Sequence, residues 1–135
     1  MKRIILAVLI SLFLVGTASA WELQTLQVQY TASGSNQTML QIGSEQYCHV
    51  MIAWLMNDST TTSTTSMHWE GSASATNRII PSMSMAAGEG AVLDLSKSGY
   101  FIIGEKGEGI EVDSSGSTTI TAFIVYFLDN KKRDH

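Results

Sequence analysis

The chain has 135 residues with eight Lys or Arg against twelve Asp or Glu, a net charge of −4 at pH 7, and a single cysteine. An acidic balance excludes nucleic-acid or anionic-membrane binding through bulk charge, which needs a basic surface, and one cysteine excludes an intramolecular disulfide. With the N-terminal segment set aside, the length allows one domain with its own core and is too short for two.

The first twenty residues read as a secretory signal. Lys2 and Arg3 make a positive start, Ile4 to Val15 is apolar except for Ser11, and Ala18-Ser19-Ala20 offers a small-residue cleavage site before Trp21. The apolar run is shorter than the ~20 residues that span a bilayer, so cleavage is expected, and membrane contact only through the signal segment if it stays uncleaved. No cysteine follows Ala20 to carry a lipid anchor. Cleavage removes two basic residues and no acidic one, leaving six positive against twelve negative charges, a net −6. The expected organisation is a signal peptide over 1–20, one domain over 21–130 and a basic tail over 131–135, in an exported (periplasmic or extracellular) protein.

Leu26, Val28 and Tyr30 alternate with Gln27 and Gln29, the period-two pattern of a strand with one wet face. A turn over Ser33 to Asn36 leads to a short strand at Met39 to Ile42. Tyr47 to Met56 is a longer, continuously apolar strand, bounded by Gly43-Ser44 and Asn57-Asp58. It contains Cys48, which reads first as a buried, inert thiol and second as a partner in an intermolecular disulfide.

The Ser/Thr run from Ser59 to Ser66 fits a flexible loop and a polar edge strand equally well. Met67 to Trp69 is a short strand and Gly71 to Thr76 a small-residue loop. Arg78 to Met85 alternates again, but Pro81 has no N–H to give to a ladder, which puts this strand at an edge or a bulge. Ala87 to Gly90 is a turn, Val92 to Leu95 a strand, and Ser96 to Gly99 a turn into Tyr100 to Ile103. Glu108 to Asp113 and Thr118 to Leu128 are expected to pair as a β-hairpin across Ser114 to Ser117. No segment combines a 3.6-residue period with helix caps. The expected fold is all-β: a single antiparallel β-sandwich, jelly-roll-like, of about eight strands, preceded by a signal-peptide helix.

Chemistry is sparse. His49, His68 and His135 have no metal-ligand spacing, and a structural zinc site needs about four ligands, so neither a metal nor another cofactor is expected. His68 reads as a partly exposed strand histidine. No Gly-x-Ser-x-Gly turn occurs. On a strand, Cys48 and His49 point to opposite faces and cannot act as nucleophile and base. Glu105, Glu108, Glu111 and Asp113 form a carboxylate run that reads first as a solvated acidic face and only faintly as a glycosidase pair or calcium site. Gly104, Gly107 and Gly109 are turn glycines. Asn36-Gln37-Thr38 and Asn57-Asp58-Ser59 match the glycan acceptor pattern. No catalytic set emerges, and an enzyme is not expected.

The stretch from Asn77 to Leu95, with its "RI-P" strand, "AAGE" turn and "VLDL" strand, resembles a group of small bacteriophage β-sandwich proteins that are head- or tail-associated virion components. The resemblance continues through Gly107-Glu108-Gly109-Ile110 and Thr121-Ala122-Phe123-Ile124, and backwards to Leu23–Tyr30 and Trp54–Thr60. It implies a sandwich fold and a place in a virion, and it carries no catalytic residue. The N-terminal signal is a departure from that group. The expected function is therefore a non-enzymatic exported structural protein, virion- or surface-associated, that assembles with itself or a larger particle. Trp54 and Met56 are candidate interface residues. The alternative is an exported carbohydrate- or receptor-binding module using Trp69, Asn77 and Tyr100 as its surface.

Overall fold

The computed structural model describes residues 22–33, 36–70, 78–115 and 117–133. The signal segment, Trp21, the loop expected over 71–76, Asn77 and His135 lie outside the described residues. Among the described residues nine strands form: β1 (Gln24–Ser33), β2 (Gln37–Leu40), β3 (Tyr47–Asn57), β4 (Ser63–Trp69), β5 (Arg78–Met85), β6 (Gly90–Asp94), β7 (Ile102–Ile103), β8 (Ile110–Ser114) and β9 (Ser117–Asp129). No helix occurs among the described residues.

The strands make two antiparallel sheets. The first runs β1-β9-β3-β6, with β7 also on β3, and the second runs β2-β8-β4-β5. β6 pairs with Ile52–Met56 of β3 and β7 with His49–Val50, so the two lie end to end along the same edge of β3. Both sheets contribute to one apolar core. The first supplies Cys48, Val50, Ala53, Leu55, Ile120, Ala122, Ile124 and Tyr126, the second Met39, Met67, Trp69, Ile80, Met85, Ile110 and Val112.

The continuous apolar run of β3 has a structural cause. Its register on β9 shifts between Val50 and Ile52, and an inserted residue resets which face each later side chain takes. Cys48 and Val50 point inward before the shift, Ala53, Leu55 and Asn57 after it, so no single period-two phase covers the strand.

Three expectations are corrected. β8 and β9 do not form a hairpin: β8 pairs with β2 and β4 in the second sheet, β9 with β1 and β3 in the first. The Ser114–Ser117 turn instead carries the chain across the core, because Ile110 and Val112 complete one inner face and Ile120, Ala122 and Ile124 the other. The second half of the Ser/Thr run is strand, but a central one between β8 and β5. Of Tyr100 to Ile103, only Ile102 and Ile103 join a ladder. Pro81 does lie on an edge strand beside a bulge, since Thr65 faces Met83 while Met67 faces Ile80.

Polar groups close one end of the core. Ser63 Oγ on β4 meets Thr118 Oγ1 on β9 at 3.1 Å, and Ser114 Oγ on β8 lies 3.4 Å from the same hydroxyl. These buried hydroxyls satisfy one another and tie the two sheets together where apolar side chains run out.

Candidate interaction surface

Alternation on the first sheet sends half its side chains away from the core, and on β3, β9 and β6 these are largely apolar. Trp54 lies opposite Phe123 on one side and Val92 on the other. Ile52 lies opposite Val125 and Asp94, and Met56 opposite Thr121 and Gly90. Val92 is 67% exposed, while Ile52, Trp54, Met56, Phe123 and Val125 are half-buried by one another. Gly90 leaves room for the Trp54 indole, since a Cβ there would stand 3.1 Å from Nε1. β1 extends the rows with Thr25, Gln27 and Gln29. At the margin, the Asp58 carboxylate accepts from the Thr121 hydroxyl and, at 3.4 Å, from the Gln29 amide.

Toward the other end of the same face, His49 is fully buried. Its ring stacks on Phe127 at 4.4 Å and 10°, and Phe101 meets both rings edge-on, Phe127 at 5.0 Å and His49 at 6.3 Å. This aromatic cluster packs the stretch after β6 down onto the sheet.

The outer face of the second sheet is polar. His68 on β4 sits 3.3 Å from the Glu111 carboxylate on β8, and the Asn36 amide donates to the same carboxylate at 3.1 Å while lying 3.4 Å from the His68 ring. Ser66 and Asp113 form the next cross-strand pair. His68 is buried in this cluster, contrary to the expectation of partial exposure. The carboxylate run is split: Glu105 is held by Lys132 at 2.9 Å and Glu108 accepts from the Glu105 amide, both ahead of β8, whereas Glu111 and Asp113 sit on the sheet. Among the described residues no three of His, Cys, Asp or Glu come together in a metal-holding group.

Trp54 and Met56, singled out on the sequence, occupy neighbouring rows of the apolar face. Trp69 does not offer a surface. It is 3% exposed and its ring lies over Gly104, where a Cβ would approach Cε3 to 2.7 Å. Tyr100 is 59% exposed in the connection between β6 and β7, so the structure does not bring Tyr100 and Trp69 together as an exposed pair, and Asn77 lies outside the described residues. Cys48 is fully buried, and burial pushes its thiol up to about 12. The Asn57 acceptor pattern is closed, because that side chain is fully buried and hydrogen-bonded. Sequence reading missed Phe123, Val125, Ile52 and Val92 as partners of Trp54. Only the cross-strand register unites them, and register depends on which strands pair.

No protein-family model and no curated protein sequence matches the chain. Among solved structures it is similar to a chain of the acidic stable capsid of Helicobacter pylori bacteriophage KHP30, at TM-score 0.57 and 8% identity over 78% of this chain and 86% of that one. Fainter likenesses include a chain of the Bacillus endospore appendage pili (TM-score 0.45, 11% identity, 78% and 83% covered) and one of tomato aspermy virus (TM-score 0.39, 11% identity, 94% of each). At these identities the capsid likeness is one of fold, and the fainter two carry no argument.

Proposed function

We propose that this protein is a non-enzymatic structural subunit, exported and built into a virion or surface assembly through the apolar outer face of its first sheet. The carrying observation is the row Gln27–Phe123–Trp54–Val92 with its neighbours Val125, Ile52 and Met56, a surface on which Asp94 is the one charged residue of the three rows. Interface centres lose charge and gain aromatic residues and Met, and a central Trp is the commonest kind of energetic anchor. The strand order supports the reading: with β6 and β7 taken as one interrupted strand, the two sheets have the order of an eight-stranded jelly roll, an architecture that viral capsids use. The fold likeness to a phage capsid chain points the same way. The glycan- or receptor-binding alternative loses Trp69 to the core and keeps Tyr100 as its exposed aromatic residue.

The test is the mass of the purified protein by light scattering across a concentration series, beside Trp54→Asp. Trp54 points outward, so the variant should keep its circular dichroism spectrum. The expected result is a discrete oligomer for the wild type and a smaller species for the variant. A wild type that stays monomeric at high concentration overturns the reading.

A further inference from the structure

We propose that the open edge of β1 pairs antiparallel with β1 of a second copy of this chain, about a twofold axis perpendicular to the first sheet. The proposal rests on the assembly reading above and names a backbone contact at the margin of the apolar face, whose rows end on Gln27 and Gln29 of β1. Each sheet has two edges, and three of the four are guarded. β5 carries Pro81 and a bulge. The edge opposite β1 is broken into β6 and β7, five and two residues long. β2 has four residues and a register shift. β1 has none of these devices: its ten residues run in unbroken register with β9, from Gln24 opposite Tyr126 to Ser33 opposite Ser117. The segment QTLQVQYTAS contains no charge and no proline. Long, flat, uncharged edges are those that recruit another strand.

Burial gives a second, independent observation. Leu26, Val28 and Tyr30 face the core and pack against it, yet all three are only half-buried. Leu40 at the end of β2, on the facing sheet's edge, and Ile42 just beyond it are half-buried too, and the Tyr30 hydroxyl donates to the Thr38 carbonyl across the gap (3.2 Å). Among the described residues the core is incompletely covered along this side, and a strand laid beside β1 would cover it.

Self-complementarity selects the occupant. The chain is acidic, and β1 is an element through which copies can meet without placing like charges in direct contact. The outward side chains of β1 are Thr25, Gln27, Gln29 and Thr31, whose hydroxyls and amides pair with their own kind across a twofold. The contact is isologous and closes at two copies because the remaining edges are guarded. Both apolar faces then lie on the same side of one continuous sheet.

The experiment uses the purified exported protein, its N-terminus read by mass spectrometry, with the variants Q27K/Q29K and Q27E/Q29E. The substituted side chains are exposed, and circular dichroism checks the fold. Each variant alone is expected to fall to half the wild-type mass, and an equimolar mixture to recover it, because Lys then faces Glu in any register centred near Val28. Hydrogen exchange on the wild type provides a readout free of mutation: alternate amides of residues 24–33 should gain protection as concentration rises. Variants that keep the wild-type mass, a mixture that fails to recover it, or exchange in β1 independent of concentration would each overturn the edge contact. If Trp54→Asp still lowers the mass in that case, the apolar-face reading survives alone. A wild type that is strictly monomeric removes both.

Discussion

The side-chain amide of Asn57, fully buried at the end of β3, donates to the carbonyls of Thr61 (2.8 Å), Met85 (2.9 Å) and Ala86 (3.2 Å), and its oxygen accepts from the Ser59 amide at 3.1 Å. One side chain thus holds the β3–β4 connection against the turn between β5 and β6. Each buried polar group left without a partner costs about 1–3 kcal/mol, so Asn57→Ala should lower stability by about 3 kcal/mol in urea unfolding. Asn57→Asp should be worse, because it sets a carboxylate against three carbonyl oxygens; an Asp variant as stable as wild type would refute this account. Cys48 acts through pH. Burial holds its thiol neutral up to about 12, against an ordinary 9.0. Below pH 9 the thiol is protonated in folded and unfolded chains alike, and its contribution is fully present. As pH rises from 9 toward 12 only the unfolded thiol ionises, so stability falls by about 1.4 kcal/mol per pH unit. Burial raises the Tyr30 hydroxyl to about 12 as well, which adds in the same direction from pH 10. Urea titrations from pH 8 to 11 should show this decline, and Cys48→Ala should flatten its first part.

At the scale of elements, what was legible in the sequence depended on whether a strand's pattern is local. β1 was readable because Leu26, Val28 and Tyr30 keep one phase, and β5 because Pro81 fixes its place by chemistry that needs no partner. β3 was readable as a strand, but the two faces of its apolar run were not, since the shift after Val50 appears only when β9 is alongside. The β8–β9 hairpin failed because a short turn between two strands looks the same whether the chain folds back within a sheet or crosses to the facing one. The candidate site shared that fate: Trp54 and Met56 stood out, while Phe123 and Val92 became neighbours only through register. Trp69 looked like a ligand platform because nothing local shows that Gly104 lies beneath it. That packing is testable. A Cβ on Gly104 would stand 2.7 Å from the Trp69 ring, and one on Gly109 would stand 2.2 Å from the Leu40 carbonyl oxygen of β2. Overpacking costs about 1–3 kcal/mol when side chains can adjust, so Gly104→Ala should fall in that range. Gly109→Ala should cost more, because backbone must give way. Thermal or urea unfolding ranks the two, and the reverse order would place the tighter constraint at the indole.

The molecule as a whole is two-sided. One outer face presents Trp54, Phe123, Val125 and Val92, and the other presents the His68, Glu111 and Asn36 cluster with Asp113. The chain bears twelve acidic residues against eight basic ones, and the resulting like charge opposes any meeting between copies. The proposed contacts, the uncharged β1 edge and the nearly uncharged face of the first sheet, avoid direct opposition of like charges but do not remove the long-range field. Salt therefore has a determined sign. Going from 10 mM to 150 mM ionic strength shortens the screening distance from ~30 Å to ~8 Å, which weakens repulsion between acidic bodies and leaves apolar burial almost untouched. Association by sedimentation or light scattering should shift to lower protein concentration as salt rises. An interface built on ion pairs, such as Lys132 with Glu105 or Lys106 with Glu45 exchanged between copies, would weaken over the same range. The direction of the salt response thus separates an apolar, strand-paired assembly from one held by its charged loops.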